Sequence, residues 1–476
     1  MIQWHHLITT RGKGLRAMGQ QVQERENQIT EGVIWKQLLL FFFPILFGTF
    51  FQQLYNAADA MIVGRFVGKE ALSAVAGSTG MLTQMVVGFF VGLSSGAAVL
   101  VSQYYGAKQA DMVSFVVHTF MAFSILAGLV MTFLGIALAP WMLEAMGTPA
   151  EVQEMSVLYL RVYFAGIIGN LVYNSGAAIL RAVGDSRRPL YFLISSCLIN
   201  IVLDVLLVVI LGLGVLGAAL ATILCQVLSA GMVILALMRT KDMHHLDWRQ
   251  VRMDPQMLKR TVRIGFPSGL QSVMYGLSNV IIQAAINSLG TDSVAAWAAY
   301  SKIDSLFWMM VSSFGIAVTT FVGQNFGAGK MERVRGGIRS CLTMTILSSA
   351  VLSLVIYNWG IYGFELFTAD PEVERIGAAM MRYLSPMYVT YVTIEILSGA
   401  LRGVGDCWRP MLLCCGGVCV LRVLWVLVAV PLKRDMYTIM FSYPLTWVVT
   451  TLLFAVYYRY FSQLKTEKRG QGRRLF

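Results

Sequence analysis

Apolar residues recur along this chain in long uninterrupted stretches, each broken by a short polar or glycine-rich interval. Uncharged runs cover 38–58, 71–107, 112–143, 205–238, 264–291, 305–329, 340–364 and 436–458. Each exceeds the roughly 20 residues a helix needs to cross the hydrocarbon of a bilayer. Splitting the longer runs at glycine, proline or charge predicts twelve helical spans, at about 37–63, 71–103, 114–138, 155–180, 190–211, 217–238, 259–289, 293–324, 336–361, 376–400, 410–431 and 437–461. The fold class expected is an all-α polytopic membrane protein.

Composition agrees. Of 476 residues 57% are hydrophobic and 13% charged, and the mean hydropathy of +0.66 excludes a string of soluble domains. Seven cysteines, an odd number placed in or beside apolar runs, point to packing residues and not to a disulfide framework. The net charge of +12 would suit nucleic acid in a soluble chain, but here it sits in short loops. Lys108, Arg187, Arg188, the basic stretch from Arg239 to Arg263, Lys330 to Arg339, Arg402 and Arg409 fall on the side shared with both termini; Glu144, Glu151, Glu154, Asp292, Glu365, Asp370, Glu372 and Glu374 fall on the other. The positive-inside rule then makes the basic side cytosolic, with Arg65, Lys69, Lys433 and Arg434 against the trend. The first 33 residues lack the order of a signal peptide and read as a cytosolic tail, within which Met18 is a second candidate start.

The chain also repeats itself at an offset of 221 to 223 residues. Gln103-Tyr-Tyr-Gly-Ala-Lys108 returns as Gln324-Asn-Phe-Gly-Ala-Gly-Lys330; Ala178-Ile-Leu-Arg-Ala-Val-Gly-Asp185 returns as Ala400-Leu-Arg-Gly-Val-Gly-Asp406; Pro44 and Asn56 return as Pro267 and Asn279. Six spans per repeat give both halves one orientation, so the expected architecture is two six-helix bundles related by a pseudo-two-fold axis along the membrane normal. The expected divisions are a cytosolic N-terminal tail over 1–33, an N-lobe over 34–239, a basic cytosolic linker over 240–258, a C-lobe over 259–461 and a basic tail over 462–476.

Few ionisable residues lie inside spans: Asp59, Asp204, Lys302, Asp304, Glu395 and Arg422. Insertion scales charge about 2.5–3.5 kcal/mol for each Asp, Lys or Arg at mid-membrane, so such residues mark pathways by default. Asp59 shares a helical face with Asn56, Tyr55 and Gln52, and Asn200 and Asp204 lie one turn apart on the fifth span. Asp59, Asp204 and Thr222 all come to roughly 7–11 Å below the non-basic surface. Together with Asn200 they form an all-oxygen set suited to a hard cation or an exchangeable proton. A structural hydrogen-bond network is the alternative, and two like charges at one depth weigh against it. By the repeat offset Asp59 maps onto Ile282, Asn200 onto Leu421 and Asp204 onto Trp425, which confines the carboxylates to the first half. Glu395 stands where the first half has Asn174; contact with a cationic substrate and pairing with Lys302 or Arg422 both fit it.

Other motifs carry less. Gly212-Leu-Gly-Val-Leu-Gly217 matches a dinucleotide fingerprint in letters only, since no strand precedes it. His244 and His245 lack further ligands, so no metal site is expected beyond Na+ at the cation set. Methionine and aromatic residues such as Met85, Met274, Trp297, Tyr300 and Trp308 suit either core packing or an adaptable pocket for flat apolar cations.

From about Thr30 to Tyr460 these features resemble the multidrug and toxic compound extrusion family of secondary transporters. The polar first helix from Pro44 to Gly64 carries the likeness, with the repeated Val-X-Gln-X-X-Gly-Ala and Leu-Arg-X-Val-Gly-Asp segments. The resemblance implies an N-lobe cation site of Asp59, Asn200, Asp204 and Thr222, with Asn174 nearby; the seventh-helix glutamate found in some branches is absent between Pro267 and Asn279. It implies a non-enzymatic antiporter that exports amphipathic, often cationic compounds against H+ or Na+, with no cofactor beyond that ion. Gln52, Tyr55, Asn56, Tyr275, Asn279 and Glu395 are the candidates for substrate contact. The expected partners are such small molecules and the bilayer, not nucleic acid, with the chain a monomer in the cytoplasmic membrane. A lipid-linked oligosaccharide flippase, which would need more Arg and Lys in its cavity, and a membrane-embedded transferase, which would need Asp-rich or His motifs, are the alternatives.

Overall fold

The structure, a computed structural model, describes residues 29–365, 370–462 and 464. The expected terminal tails therefore lie outside the described residues except for 29–33, 462 and 464. Among the described residues the chain is helical and contains no strand. Among these residues nine helices are long and apolar enough to cross a membrane, and the bent pair Ala150–Ala165 and Ile167–Ala182 together makes one more. In order the spans are Ile34–Phe66, Lys69–Gly106, Ala110–Ala145, the bent fourth, Arg187–Ile210, Gly214–Arg239, Pro255–Asn287, Thr291–Gly327, Met331–Phe364, the tenth made of Pro371–Leu384 and Tyr388–Gly403, Trp408–Leu432 and Met436–Tyr460. The seventh is long enough but too polar to pass on hydropathy alone, because Ser268, Gln271, Ser272, Ser278 and Asn279 dilute it.

Local chemistry fixes the ends. The seventh span starts at Pro255, with the Asp254 carboxylate capping the Met257 amide at 2.7 Å. The fourth and tenth end at Gly184 (φ +97°) and Gly405 (φ +90°), left-handed positions that the repeated Val-Gly-Asp supplies. The tenth span breaks where Pro386 interrupts the helical ladder in a 3₁₀ turn over Ser385–Met387.

The first six spans form one lobe and the last six the other. The lobes meet along the second with the seventh and the first with the eighth, which are equivalent pairs under the repeat. Glycine permits the approach: a Cβ at Gly92 would overlap the backbone of Gly269, and one at Gly96 that of Gly265. On the other side of the axis the Phe42 and Phe314 rings stack at 3.8 Å. At the basic end the closure is symmetric. Gln103 Nε2 donates to the Gly403 carbonyl at 2.8 Å and Gln324 Nε2 to the Ala182 carbonyl at 2.7 Å, each reaching into the opposite lobe. Between them the second and eighth spans cross so closely that a Cβ on Gly106 would overlap the Gln324 carbonyl, and one on Gly327 the Gln103 carbonyl. The named interlobe contacts thus run from the basic end to about mid-span, where Met85 meets Gly276.

The linker is docked, not free. Leu246 is fully buried in the N-lobe core, His118 Nε2 accepts the Asp247 amide at 3.0 Å, and Tyr105 Oη donates to Asp242 at 3.0 Å. Residues 29–32 lie against the ninth span, where Arg333 donates to the carbonyls of Ile29, Glu31 and Gly32.

Candidate functional site

The first, fifth and sixth spans bring Asp59, Asn200, Asp204 and Thr222 together inside the N-lobe, all buried in helices that are otherwise apolar. Asp59 and Asp204 lie within electrostatic reach of each other, and Asn200 and Asp204 face Cys225. Asp59 Oδ1, both Asp204 oxygens, both polar atoms of the Asn200 amide and Thr222 Oγ1 have no hydrogen-bond partner among the described residues. Native interiors pair almost all such atoms. Thr222 lies beside the Tyr55 and Tyr159 hydroxyls and Asn200 beside the Cys225 thiol, while no described residue donates to the Asp204 carboxylate. The donor set is hard and anionic, so it fits H+ or Na+ and no soft metal.

Two tyrosines that sequence reasoning passed over complete the wall. Tyr159 and Tyr163 from the first half of the fourth span stack at 6.3 Å, and Tyr159 faces Asp59, Thr222 and Asp204. Their spacing of one turn on a span was the available signal. Tyr55 joins them beside Thr222.

Asn174 stands one step away. With Gln52, Tyr55, Asn170, Gln226 and Ser229 it lines an N-lobe cavity of about 60 Å³, and its Nδ2 donates to both the carbonyl and the side-chain oxygen of Asn170 at 2.9 Å. That volume holds a few waters or a small ion. Tyr55 and Cys225 border both cavity and carboxylates. The substrate candidates are therefore divided: Gln52 and Tyr55 border this cavity, Asn56 and Asn279 are exposed, and Tyr275 and Glu395 belong to the C-lobe beside Tyr391.

Two sequence expectations change. Glu395 pairs with neither Lys302 nor Arg422; its partner is Arg402, one face and two turns along its own helix, at 3.2 Å. The repeat register in the eleventh span is also one residue off. That span contains a π turn, Cys415–Val420, before the position in question, while the fifth has its π turn, Val205–Ile210, after Asp204. A π turn takes up one extra residue. Burial from Asn200 to Val208 is accordingly reproduced position by position from Arg422 to Val430, so Asn200 corresponds to Arg422 and Asp204 to Val426, not to Leu421 and Trp425. Asp59 still corresponds to the buried Ile282.

The MatE family model matches the chain twice, over residues 44–206 and 267–428, one copy in each lobe. The protein named "Probable multidrug resistance protein YoeA" of Bacillus subtilis is 29% identical over 90% of this chain and 94% of its own length. The multidrug export protein MepA of Staphylococcus aureus is 22% identical over 89% of this chain and 91% of its own. Among solved structures, an outward-facing MATE multidrug resistance transporter has a TM-score of 0.85 at 21% identity, over 91% of this chain and 97% of that one. A transporter of the wider MOP superfamily from Pyrococcus furiosus, reported to have a binding pocket of reversed polarity, has a TM-score of 0.85 at 22% identity over the same shares. These likenesses fix the architecture of twelve membrane helices in two bundles.

Proposed function

The chain belongs to the MATE family of transporters, and on that premise we propose that it is a cation-coupled antiporter exporting amphipathic, often cationic compounds by alternating access. The observation that carries the coupling is the convergence of Asp59, Asn200, Asp204 and Thr222 with their oxygens unbonded. With the basic end facing the cytosol and closed, the carboxylates take H+ or Na+ from the outer side. Neutralising two like charges at one place removes their repulsion and lets the first, fifth and sixth spans close around the site. That closure shrinks the cavity bordered by Gln52, Tyr55 and Asn174 and weakens the N-lobe's hold on substrate. One elementary charge moving through 100 mV supplies about 2.3 kcal/mol, equivalent to a roughly 50-fold gradient, so one or two cations suffice.

Asp204→Asn tests this in proteoliposomes under separately imposed proton and sodium gradients. The expected result is loss of gradient-driven dye efflux from folded, inserted protein, with whichever gradient drives the wild type naming the ion. Full retention of driven efflux would overturn the reading.

A further inference from the structure

The π turn in the eleventh span puts Arg422, not Leu421, at the station that Asn200 holds in the N-lobe. Arg422 is 4% exposed in the core of the C-lobe. Its guanidinium stacks on the Tyr443 ring at 4.0 Å and donates to Thr446 Oγ1 at 3.3 Å, while its Nε has no partner among the described residues. Tyr443 and Thr446 stand, in the matching burial pattern of the twelfth span, where the sixth has Thr222 and Cys225. Arg422 therefore meets Thr446 as Asn200 meets Cys225 in the N-lobe.

A counter-charge is nearby on a different element. Asp304 of the eighth span accepts Tyr388 Oη at 2.6 Å, Trp308 Nε1 at 2.7 Å and Tyr300 Oη at 3.2 Å, and the Arg422 guanidinium lies within its electrostatic reach. The Tyr300 and Tyr388 hydroxyls also meet each other at 3.0 Å, so the carboxyl sits in a closed cage of phenol and indole groups. The two lobes thus hold opposite arrangements at one pseudo-symmetric place. The N-lobe has two carboxylates whose oxygens are unbonded; the C-lobe has one carboxylate fully donated to and a covalently attached cation.

We infer that the Arg422 guanidinium is a tethered cation, standing in the C-lobe at the station the exchangeable cation takes in the N-lobe, with Asp304 as its fixed counter-charge. The C-lobe is then permanently loaded: it neither binds nor releases a coupling ion, and it serves as the rigid half against which the N-lobe works. The inference rests on the reading of the N-lobe set as the coupling site. It also names the chemistry that removal of the arginine would uncover, a carboxylate caged by phenol and indole donors and able to take H+ or Na+.

Proton uptake per chain, measured by titrating purified protein between about pH 8 and 5 with and without saturating Na+, tests this. Asp304→Asn alone should leave uptake unchanged, because the tethered guanidinium occupies the place an exchangeable cation would take. Arg422→Gln should add about one proton per chain that Na+ suppresses or leaves, according to which ion the caged carboxylate prefers. That addition should vanish in Arg422→Gln/Asp304→Asn and should not occur in Arg422→Lys, which keeps the charge. If Arg422→Gln folds poorly, the Arg422→Lys and Asp304→Asn measurements still decide. Overturning results are a fall in wild-type uptake on Asp304→Asn, the same gain in Arg422→Lys as in Arg422→Gln, or no gain in folded Arg422→Gln. Failure of the underlying coupling reading is separate: it would appear as driven efflux surviving Asp204→Asn, whatever Arg422 does.

Discussion

At the scale of single residues, the polar side chains divide by whether their bonds are satisfied. Glu395 and Asp304 are each met by donors, so they read as fixed structure, whereas the N-lobe oxygens are not. His244 is a third case, in the linker outside the spans. It is 4% exposed, neither ring nitrogen is hydrogen-bonded among the described residues, and the nearest carboxylate, Asp242, is 3.8 Å away. Burial pushes its pKa below the ordinary imidazole value and outweighs the pull of Asp242. A base whose folded pKa is depressed stabilises the docked state fully above its unfolded pKa, about 6.5, and that contribution is lost as pH falls below it. Amide protection factors across residues 240–254 should therefore drop between about pH 6.5 and 5 in wild type and stay level in His244→Gln. A drop of equal size in both would assign the acid response to another group.

At the scale of elements, helix existence and order were legible in the sequence because long apolar runs leave few alternatives. The fifth span was legible to the residue: Asn200 and Asp204 stand on one buried face as their spacing requires. The eleventh was not. A π turn leaves no mark in apolar sequence, since Cys415-Gly-Gly-Val-Cys-Val420 satisfies an α-helix equally well, and one added residue turned Arg422 onto the face assigned to Leu421. The partner of Glu395 was missed for a different reason. Arg402 lies beyond the span end expected near residue 400, but its helix runs to Gly403 and lets the guanidinium reach back along it. The crossing of the second and eighth spans, by contrast, was present as a repeated Gln-X-X-Gly, though its function was not. Gly106→Ala or Gly327→Ala should disfavour this closure by about 1–3 kcal/mol, shifting its population roughly 5- to 150-fold. Spin labels at the basic ends of these two spans should then report longer distances; an unchanged distribution with normal efflux would argue against a gating role for the crossing.

At the scale of the whole molecule, the positive-inside rule leads us to propose that the basic end is cytosolic. The linker presents Lys241 to solvent at the basic end, and Glu151 is exposed at the other. All seven native cysteines are buried, so introduced thiols report cleanly. In intact cells an impermeant maleimide should label Glu151→Cys, and should label Lys241→Cys only after permeabilisation; the reverse would invert the topology and with it the direction of transport.

The closure at the basic end joins amide side chains to backbone carbonyls and glycine to backbone, with no formal charge at the crossing itself. Dissolved salt screens charges over about 8 Å at physiological ionic strength but has little purchase on neutral dipoles in contact. The closure at the basic end is therefore indifferent to ionic strength, and under the proposed coupling a cation acts on it only through binding in the N-lobe.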